Sequence, residues 1–338
     1  MSIHFQTGRN ETFSDRCSHF IKYSQNFVFL IQVNGIERIL RITSNCHRTK
    51  KQIEAELDWI LFLANSGVNV CKPIKSKNDM LINTIDLRDD SLHYVIFEKA
   101  NGKQVTGKEI NSELFKLHGK LTGKIHNATK NYSKVNSNSR FDWNENRLFT
   151  KDPYTYLPPN VKDNIIPIIS CLLNEAMEIP KTKNSYGLIH GDLNYNNFFI
   201  NKDSLEVFDF DNCCNGYFVN DISKSLYSSI HTYHRSKRTG DRTEFESPKV
   251  DMNLEEVWEP FWNGYKSENE IEDIWFEQIP LFFEIIHLKE FIHHYRHKVP
   301  YRNDELKKIF EMEEKQIINR DVTVSFDFIK GKAIKRAR

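Results

Sequence analysis

The sequence predicts an α+β fold in two lobes, a small β-rich N-terminal lobe and a larger, mainly helical C-terminal one. Three observations carry this expectation. At 338 residues the chain exceeds what one small core requires. Apolar runs rich in β-branched and aromatic residues dominate up to about residue 100. From Ser112 onward the apolar residues recur every three or four positions.

Residues 27 to 43, FVFLIQVNGIERILRIT, are two such runs around Asn34-Gly35, a dipeptide suited to a tight hairpin. The stretch KQIEAELDWILFLANSG follows a helical pattern. Ile53, Leu57, Ile60, Leu61 and Ala64 share one face and Gly67 is the stop. LHYVIFEK (92 to 99) reads as a further strand, which ANGKQ breaks. In the second lobe, Leu114, Leu117, Leu121 and Ile125 mark one helix and residues 161 to 178 another. Leu281, Ile285, Leu288, Ile292 and Tyr295 form a long apolar stripe on a third. Between them, NNFFI and LEVFDFD read as the two strands of a hairpin turned at Asn201-Lys202-Asp203-Ser204. The charged, aperiodic segment 235 to 253 reads as a loop and the basic tail GKAIKRAR as a solvated end.

Composition narrows the function classes. A hydrophobic share of 39% with 28% charged residues suits an ordinary soluble globular protein. Lys+Arg at 47 against Asp+Glu at 46 leaves almost no net field, which argues against a nucleic-acid-binding surface. No apolar run is long enough to span a bilayer and MSIHFQTGRN lacks signal-peptide character, so no membrane association is expected. Six cysteines without a C-x-x-C pair point to reduced thiols and a cytoplasmic setting; adjacent Cys213 and Cys214 read as buried packing.

The chemistry concentrates in LIHGDLNYNNFFI, residues 188 to 200. A carboxylate and three carboxamides between apolar runs are costly unless they satisfy one another or face something polar. An Asx-rich turn closing a hairpin is one reading. The spacing favours the other. Asp192 and Asn197 lie five positions apart, and Asp209 follows twelve positions later at the end of the hairpin. That is the order of the protein-kinase catalytic loop, H-x-D-x-x-x-x-N, and of the strand-end Asp in D-F-G. Such a loop Asp can meet an attacking hydroxyl while Asn197 and Asp209 converge on one divalent ion. Magnesium takes oxygen ligands and keeps positions for water and phosphate. His190 reads as a structural group that holds the loop through backbone bonds. His293 and His297 lack a third ligand and read as ordinary helix histidines.

At these residues the chain resembles the aminoglycoside phosphotransferase and choline kinase superfamily, whose fold is protein-kinase-like. GLIHGDLNYNN resembles its loop, VFDFDN its metal-binding strand, and Asp221 in GYFVNDIS the acidic residue opening its next helix. ILRI (39 to 42), EAELDWILFL (54 to 63), the Leu117–His126 stretch and FWNGY (261 to 265) fall in family order, so the resemblance spans roughly residues 26 to 300. It implies ATP- and Mg2+-dependent transfer of the γ-phosphoryl group to a hydroxyl of a small, amine-bearing substrate. Residues 1–100 would form the nucleotide-binding lobe and 101–338 the catalytic and substrate-binding lobe.

Carried over, the resemblance makes Asp192 the catalytic base and Asn197 and Asp209 the magnesium ligands. Glu56 becomes the helix carboxylate that pairs with a strand cation gripping phosphate. That cation is Lys in protein kinases; the matching residue here is Arg41, a bidentate fork in place of a point charge. No G-x-G-x-x-G is present, and Ser24-Gln25-Asn26 takes the place of the family's shorter nucleotide loop. Phe97 to Gly102 would be the hinge that contacts adenine. FDFDN and the GY element resemble the homoserine-kinase-type and bacterial stress-kinase branches equally well. A Ser/Thr protein acceptor therefore stays open, as does a nucleotide-binding pseudokinase. Glu255, Glu256, Trp258, Glu259, Trp262, Tyr265, Trp275, Phe276, Glu277 and Glu284 would suit a cationic substrate. The competing reading makes the aromatics core and the acids its wet face.

Overall fold

Asn34 and Gly35 both take positive φ, 53° and 77°, the backbone of a two-residue hairpin turn whose twist matches its strands. They join β2 (Phe27–Val33) to β3 (Ile36–Ser44) with Phe27 opposite Ile42 and Val33 opposite Ile36. The computed structural model describes residues 18–23, 25–105, 109–132, 139–236, 254–321 and 326–333. It divides into two compact units between Asn101 and Gly102.

In the first unit the sheet runs β1 (Ser18–Tyr23), β2, β3, β6 (Ser91–Glu98), all antiparallel. β4 (Pro73–Ile74) and β5 (Asn83–Asp86) each pair with β6 on its other side. β3 is therefore flanked by strands on both edges, which fixes Arg41 opposite Val28 on one side and Val95 on the other. α1 (Lys50–Asn65) opens with a capping box in which Thr49 and Gln52 satisfy each other's backbone N–H groups. Its buried residues include Ile53, Leu57 and Ile60 as expected, but Trp59 and Leu63 fill the core where Leu61 and Ala64 are only half-buried.

The second unit begins with β7 (Lys103–Gln104) and α2 (Ser112–Thr129), whose N-terminus is capped by Asn111. The short helices α3 (Arg147–Thr150) and α4 (Asp152–Tyr156) lead into α5 (Pro159–Met177). β8 (Tyr186–Ile189) pairs with β11 (Cys214–Tyr217), and the segment between them contains the hairpin of β9 (Phe198–Asn201) and β10 (Ser204–Val207). The helices α6 (Phe218–Ser236), α7 (Leu254–Lys266), α8 (Ile279–Arg296) and α9 (Asp304–Ile318) follow, then a small hairpin of β12 (Phe326–Asp327) and β13 (Lys332–Ala333).

α2 lies close against α7: a Cβ added at Gly119 would stand 1.8 Å from the Phe261 carbonyl oxygen. α8 is buried along its first ten residues on nearly every side, including Leu281, Ile285 and Leu288, which makes it the axis of the helical core. Among the described residues no helix is long and apolar enough to cross a membrane.

Two expectations shift. The returning hairpin strand stops at Val207 rather than running to Asp211, because Asp209 adopts a left-handed backbone and residues 210 to 212 make a tight helical turn. α6 continues to Ser236, so the segment read as a loop from 235 begins as helix, and 237–253 lie outside the described residues. Ser24 and residues 334–338 of the basic tail also lie outside them.

Candidate active site

The 190–197 loop is held from beneath by one buried carboxylate. Asp221, in the first turn of α6 and fully buried, accepts the backbone N–H of His190 at 2.7 Å and of Gly191 at 2.8 Å. Burial by itself would raise this carboxyl, but His126, His190 and the Gly191 N–H outweigh it and hold the group below the ordinary aspartate value. His126 Nε2 stands 3.7 Å away. Its Nδ1 lies 2.9 Å from the Tyr265 hydroxyl, which in turn accepts from Asn269 at 2.7 Å. A neutral imidazole that presents its Nε2–H to the Asp221 carboxylate leaves Nδ1 to accept the Tyr265 proton.

Gly191 makes the sharp bend possible. Its φ is +75°, and a Cβ there would meet the Asn212 carbonyl oxygen at 2.4 Å. His190 pins the loop to the hairpin: its Nδ1 accepts the Asp192 N–H at 3.3 Å, so Nε2 carries the proton and donates to the Phe208 carbonyl at 3.2 Å. The imidazole thus bonds backbone on both sides.

Asp192 projects from this frame with its side chain 30% exposed, open enough to meet a solute. Asn194 Nδ2 donates to Oδ1 at 2.8 Å and Asn197 Nδ2 to Oδ2 at 3.1 Å; both amides also bond the Asp192 carbonyl. Asn197 spends its N–H groups on Asp192, which leaves its Oδ1 as the acceptor atom. The Phe208 N–H donates to the Asn197 carbonyl at 2.9 Å, so Asp209 directly follows the residue locked to Asn197. Asp209 takes φ 66° and ψ 58°, a conformation that a non-glycine residue seldom adopts without a reason. The hairpin therefore brings Asn197 and Asp209 to one end. A carboxamide oxygen and a carboxylate make an all-oxygen donor pair, which fits magnesium with its remaining positions on water and phosphate.

In the first unit the other predicted pair is formed. Arg41 Nη1 and Nη2 donate to Glu56 Oε1 at 2.7 Å and Oε2 at 2.9 Å. Arg41 is 5% exposed and Glu56 fully buried, and the guanidinium lies 5.1 Å from the centroid of the Phe97 ring. The fork uses two of arginine's five N–H donors on Glu56. Asn26 is buried and its Oδ1 accepts the Thr43 hydroxyl at 2.8 Å, tying the turn before β2 to β3. Phe97 sits within β6, opposite Ile39 on one side and Pro73 on the other.

Of the residues considered for a cationic pocket, the aromatics Trp258, Trp262, Tyr265 and Phe276 pack on one another, and the side chain of Glu255 lies outside the described residues. Trp258, Tyr265, Trp275 and Phe276 are buried core, while Glu256, Glu259 and Glu277 are exposed. Glu284 is buried and accepts from Arg320 Nε at 2.7 Å. The helical-spacing reading describes this region. Cys213 and Cys214 are buried, and burial pushes the Cys214 thiol up to about 12. Sequence reasoning missed Lys224, whose Nζ lies 3.3 Å from Asp192 Oδ1 and 2.7 Å from Glu290 Oε1. The signal was present. Lys224 follows Asp221 by three positions, so both face the loop from one side of a helix.

The sequence profile described as "Phosphotransferase enzyme family" (APH) matches residues 21–243. Amicoumacin kinase of Bacillus subtilis (strain 168) is 30% identical over 278 residues, covering 82% of this chain and 79% of that protein. A solved amicoumacin kinase in complex with AMP-PNP, Ca2+ and Ami superposes with a TM-score of 0.84 at 27% identity, covering 95% of this chain and 93% of that one. A microcompartment-associated aminopropanol kinase shares the fold with a TM-score of 0.67 at 20% identity, over 90% and 91% of the two chains.

Proposed function

Because this chain belongs to the phosphotransferase enzyme family, we propose that it transfers the γ-phosphoryl group of Mg-ATP to a hydroxyl of a small, amine-bearing molecule. The observation that carries the reading is the Asp192 frame: one reachable carboxylate, oriented by Asn194 and Asn197, with Asn197 bonded through its backbone to Phe208, the residue before Asp209. Asp192 would accept the proton of the acceptor hydroxyl and hold its oxygen in line with the phosphorus. Such positioned groups typically contribute about 10²–10⁴-fold. Asn197 and Asp209 would hold the metal ion, which supplies charge neutralisation for the phosphate oxygens. Arg41, fixed by Glu56, would contact the α- and β-phosphates. Asn26 would shape the turn over the nucleotide, and the backbone at Phe97 would meet adenine.

Nucleotide and divalent-metal use is supported by the similar amicoumacin kinase, which is complexed with AMP-PNP and Ca2+. A small-molecule acceptor is supported by the amicoumacin kinase relative. Among the described α7 acids, Glu256 and Glu259 are exposed beside a buried aromatic face, so recognition of the amine is assigned to other residues.

The test is a matched panel with Mg-ATP, read by mass spectrometry of the product. Amicoumacin, amino alcohols and aminoglycosides are set against neutral sugars, anionic hydroxy acids and Ser-containing peptides. Phosphorylation confined to amine-bearing compounds is expected; phosphorylation of the peptides alone would turn the reading to a protein kinase.

A further inference from the structure

We propose that Lys224, braced by Glu290, is a positioning residue for Asp192 in phosphoryl transfer. The inference rests on the reading of Asp192 given above. Lys224 comes from α6, one turn beyond the aspartate that holds the loop, and Glu290 from α8, the central helix of the core. The ammonium reaches the Asp192 carboxylate from outside its own loop, whereas Asn194 and Asn197 belong to that loop.

The geometry is that of a brace. Lys224 Nζ lies 2.7 Å from Glu290 and 3.3 Å from Asp192, so the shorter, stronger bond runs to the residue on the rigid helix. The lysine side chain is 14% exposed, against 32% for Glu290 and 30% for Asp192. A buried four-carbon stem gives the ammonium little freedom, while the carboxylate it touches stays reachable. Burial works against the charged form, but Glu290 and then Asp192 outweigh it and lift the lysine above its ordinary value. Glu290 is correspondingly held low against its own burial, chiefly by Lys224.

During transfer the γ-phosphorus–oxygen bond to ADP breaks as one forms to the acceptor oxygen, whose proton passes to Asp192. That proton is collected well only if the carboxylate holds one rotamer, and the two loop carboxamides fix it only relative to the loop itself. Lys224 ties the carboxylate to the helical core instead. Removing it releases the rotamer and leaves Glu290 and Asp192 as unscreened like charges.

The experiment measures kcat and KM with Mg-ATP and amicoumacin, alongside calorimetric AMP-PNP binding and thermal melts. Lys224→Met should lower kcat about 10- to 100-fold while leaving the ATP KM and AMP-PNP affinity unchanged. Lys224→Arg should recover part of the rate. The double variant Lys224→Met/Glu290→Gln should be faster than Lys224→Met alone, because the second change removes the repulsion left by the first. Should Lys224→Met fail to melt as a folded protein, Lys224→Gln/Glu290→Gln carries the same kcat test. A kcat within about twofold of wild type, a loss confined to the ATP KM, or a double variant slower than Lys224→Met would overturn the inference. Absence of transfer by the wild type across the full acceptor panel overturns the underlying reading as well, and so is distinguishable.

Discussion

Asn197 is tied to its surroundings through both side chain and backbone. Its Nδ2 donates to the carbonyl and carboxylate of Asp192, while its backbone carbonyl accepts the N–H of Phe208, the residue before Asp209. Asp209→Ala should therefore weaken metal-dependent nucleotide binding more than Asn197→Ala, since a carboxylate brings charge and a carboxamide only a dipole. Asn197→Ala should in addition slow transfer at saturating metal, because Asp192 loses a donor. Titrating Mg2+ against AMP-PNP affinity checks this; identical metal dependence in both variants and wild type would remove the pair from the metal site. At this scale the geometry of the loop was legible, because the spacing of Asp192, Asn197 and Asp209 anticipates a loop Asp bonded by a later Asn and a third residue at the end of the returning hairpin strand. Lys224 and Glu290 were not, because they lie 66 residues apart and meet only through the packing of α6 on α8.

Elements with their own punctuation were read close to their observed bounds. Asn34-Gly35 marked the first hairpin, and the apolar stripe marked α1 against Lys50–Asn65. β4 and β7 were not legible, since two-residue strands are defined by a partner rather than by a pattern. The Asp209 turn was missed for a related reason: LEVFDFD reads as strand locally, and only the tertiary site selects the left-handed backbone. The Arg41–Glu56 pair joins β3 to α1 and carries its own prediction. Arg41→Ala strands a fully buried carboxylate, which should cost about 3–5 kcal/mol in urea unfolding, with Arg41→Ala/Glu56→Leu recovering much of it. Equal losses in the single and double variants would show that the pair does not secure the helix to the sheet. Arg41→Lys, which keeps the charge but loses the fork, should raise the ATP requirement less than Arg41→Ala does.

Across the whole molecule, buried titratable groups set opposing pH trends. Burial pushes His118 down to about 3 and His287 down to about 4. Both stay neutral in the fold at pH values where the unfolded chain takes up protons, so their contribution is complete above about pH 6.5 and is lost as pH falls toward 4. Glu313, 4% exposed on α9, is pushed up to about 7 by burial. Its protonated form is favoured in the fold, so that contribution is present at low pH and lost as pH rises from about 4.5 through 7. Glu313→Gln should raise stability by about 2–3 kcal/mol near pH 8 and by almost nothing near pH 4. Denaturant midpoints at the two pH values check it, and an equal gain at both would exclude the titration. Phosphoryl transfer as proposed depends on Asp192 acting on the acceptor and not on the nucleotide. Its most direct test pairs phosphoryl transfer from Mg-ATP with AMP-PNP binding in Asp192→Ala. Transfer lowered by about 10²–10⁴-fold with nucleotide binding close to wild type is the result expected; transfer within a few-fold of wild type would contradict it.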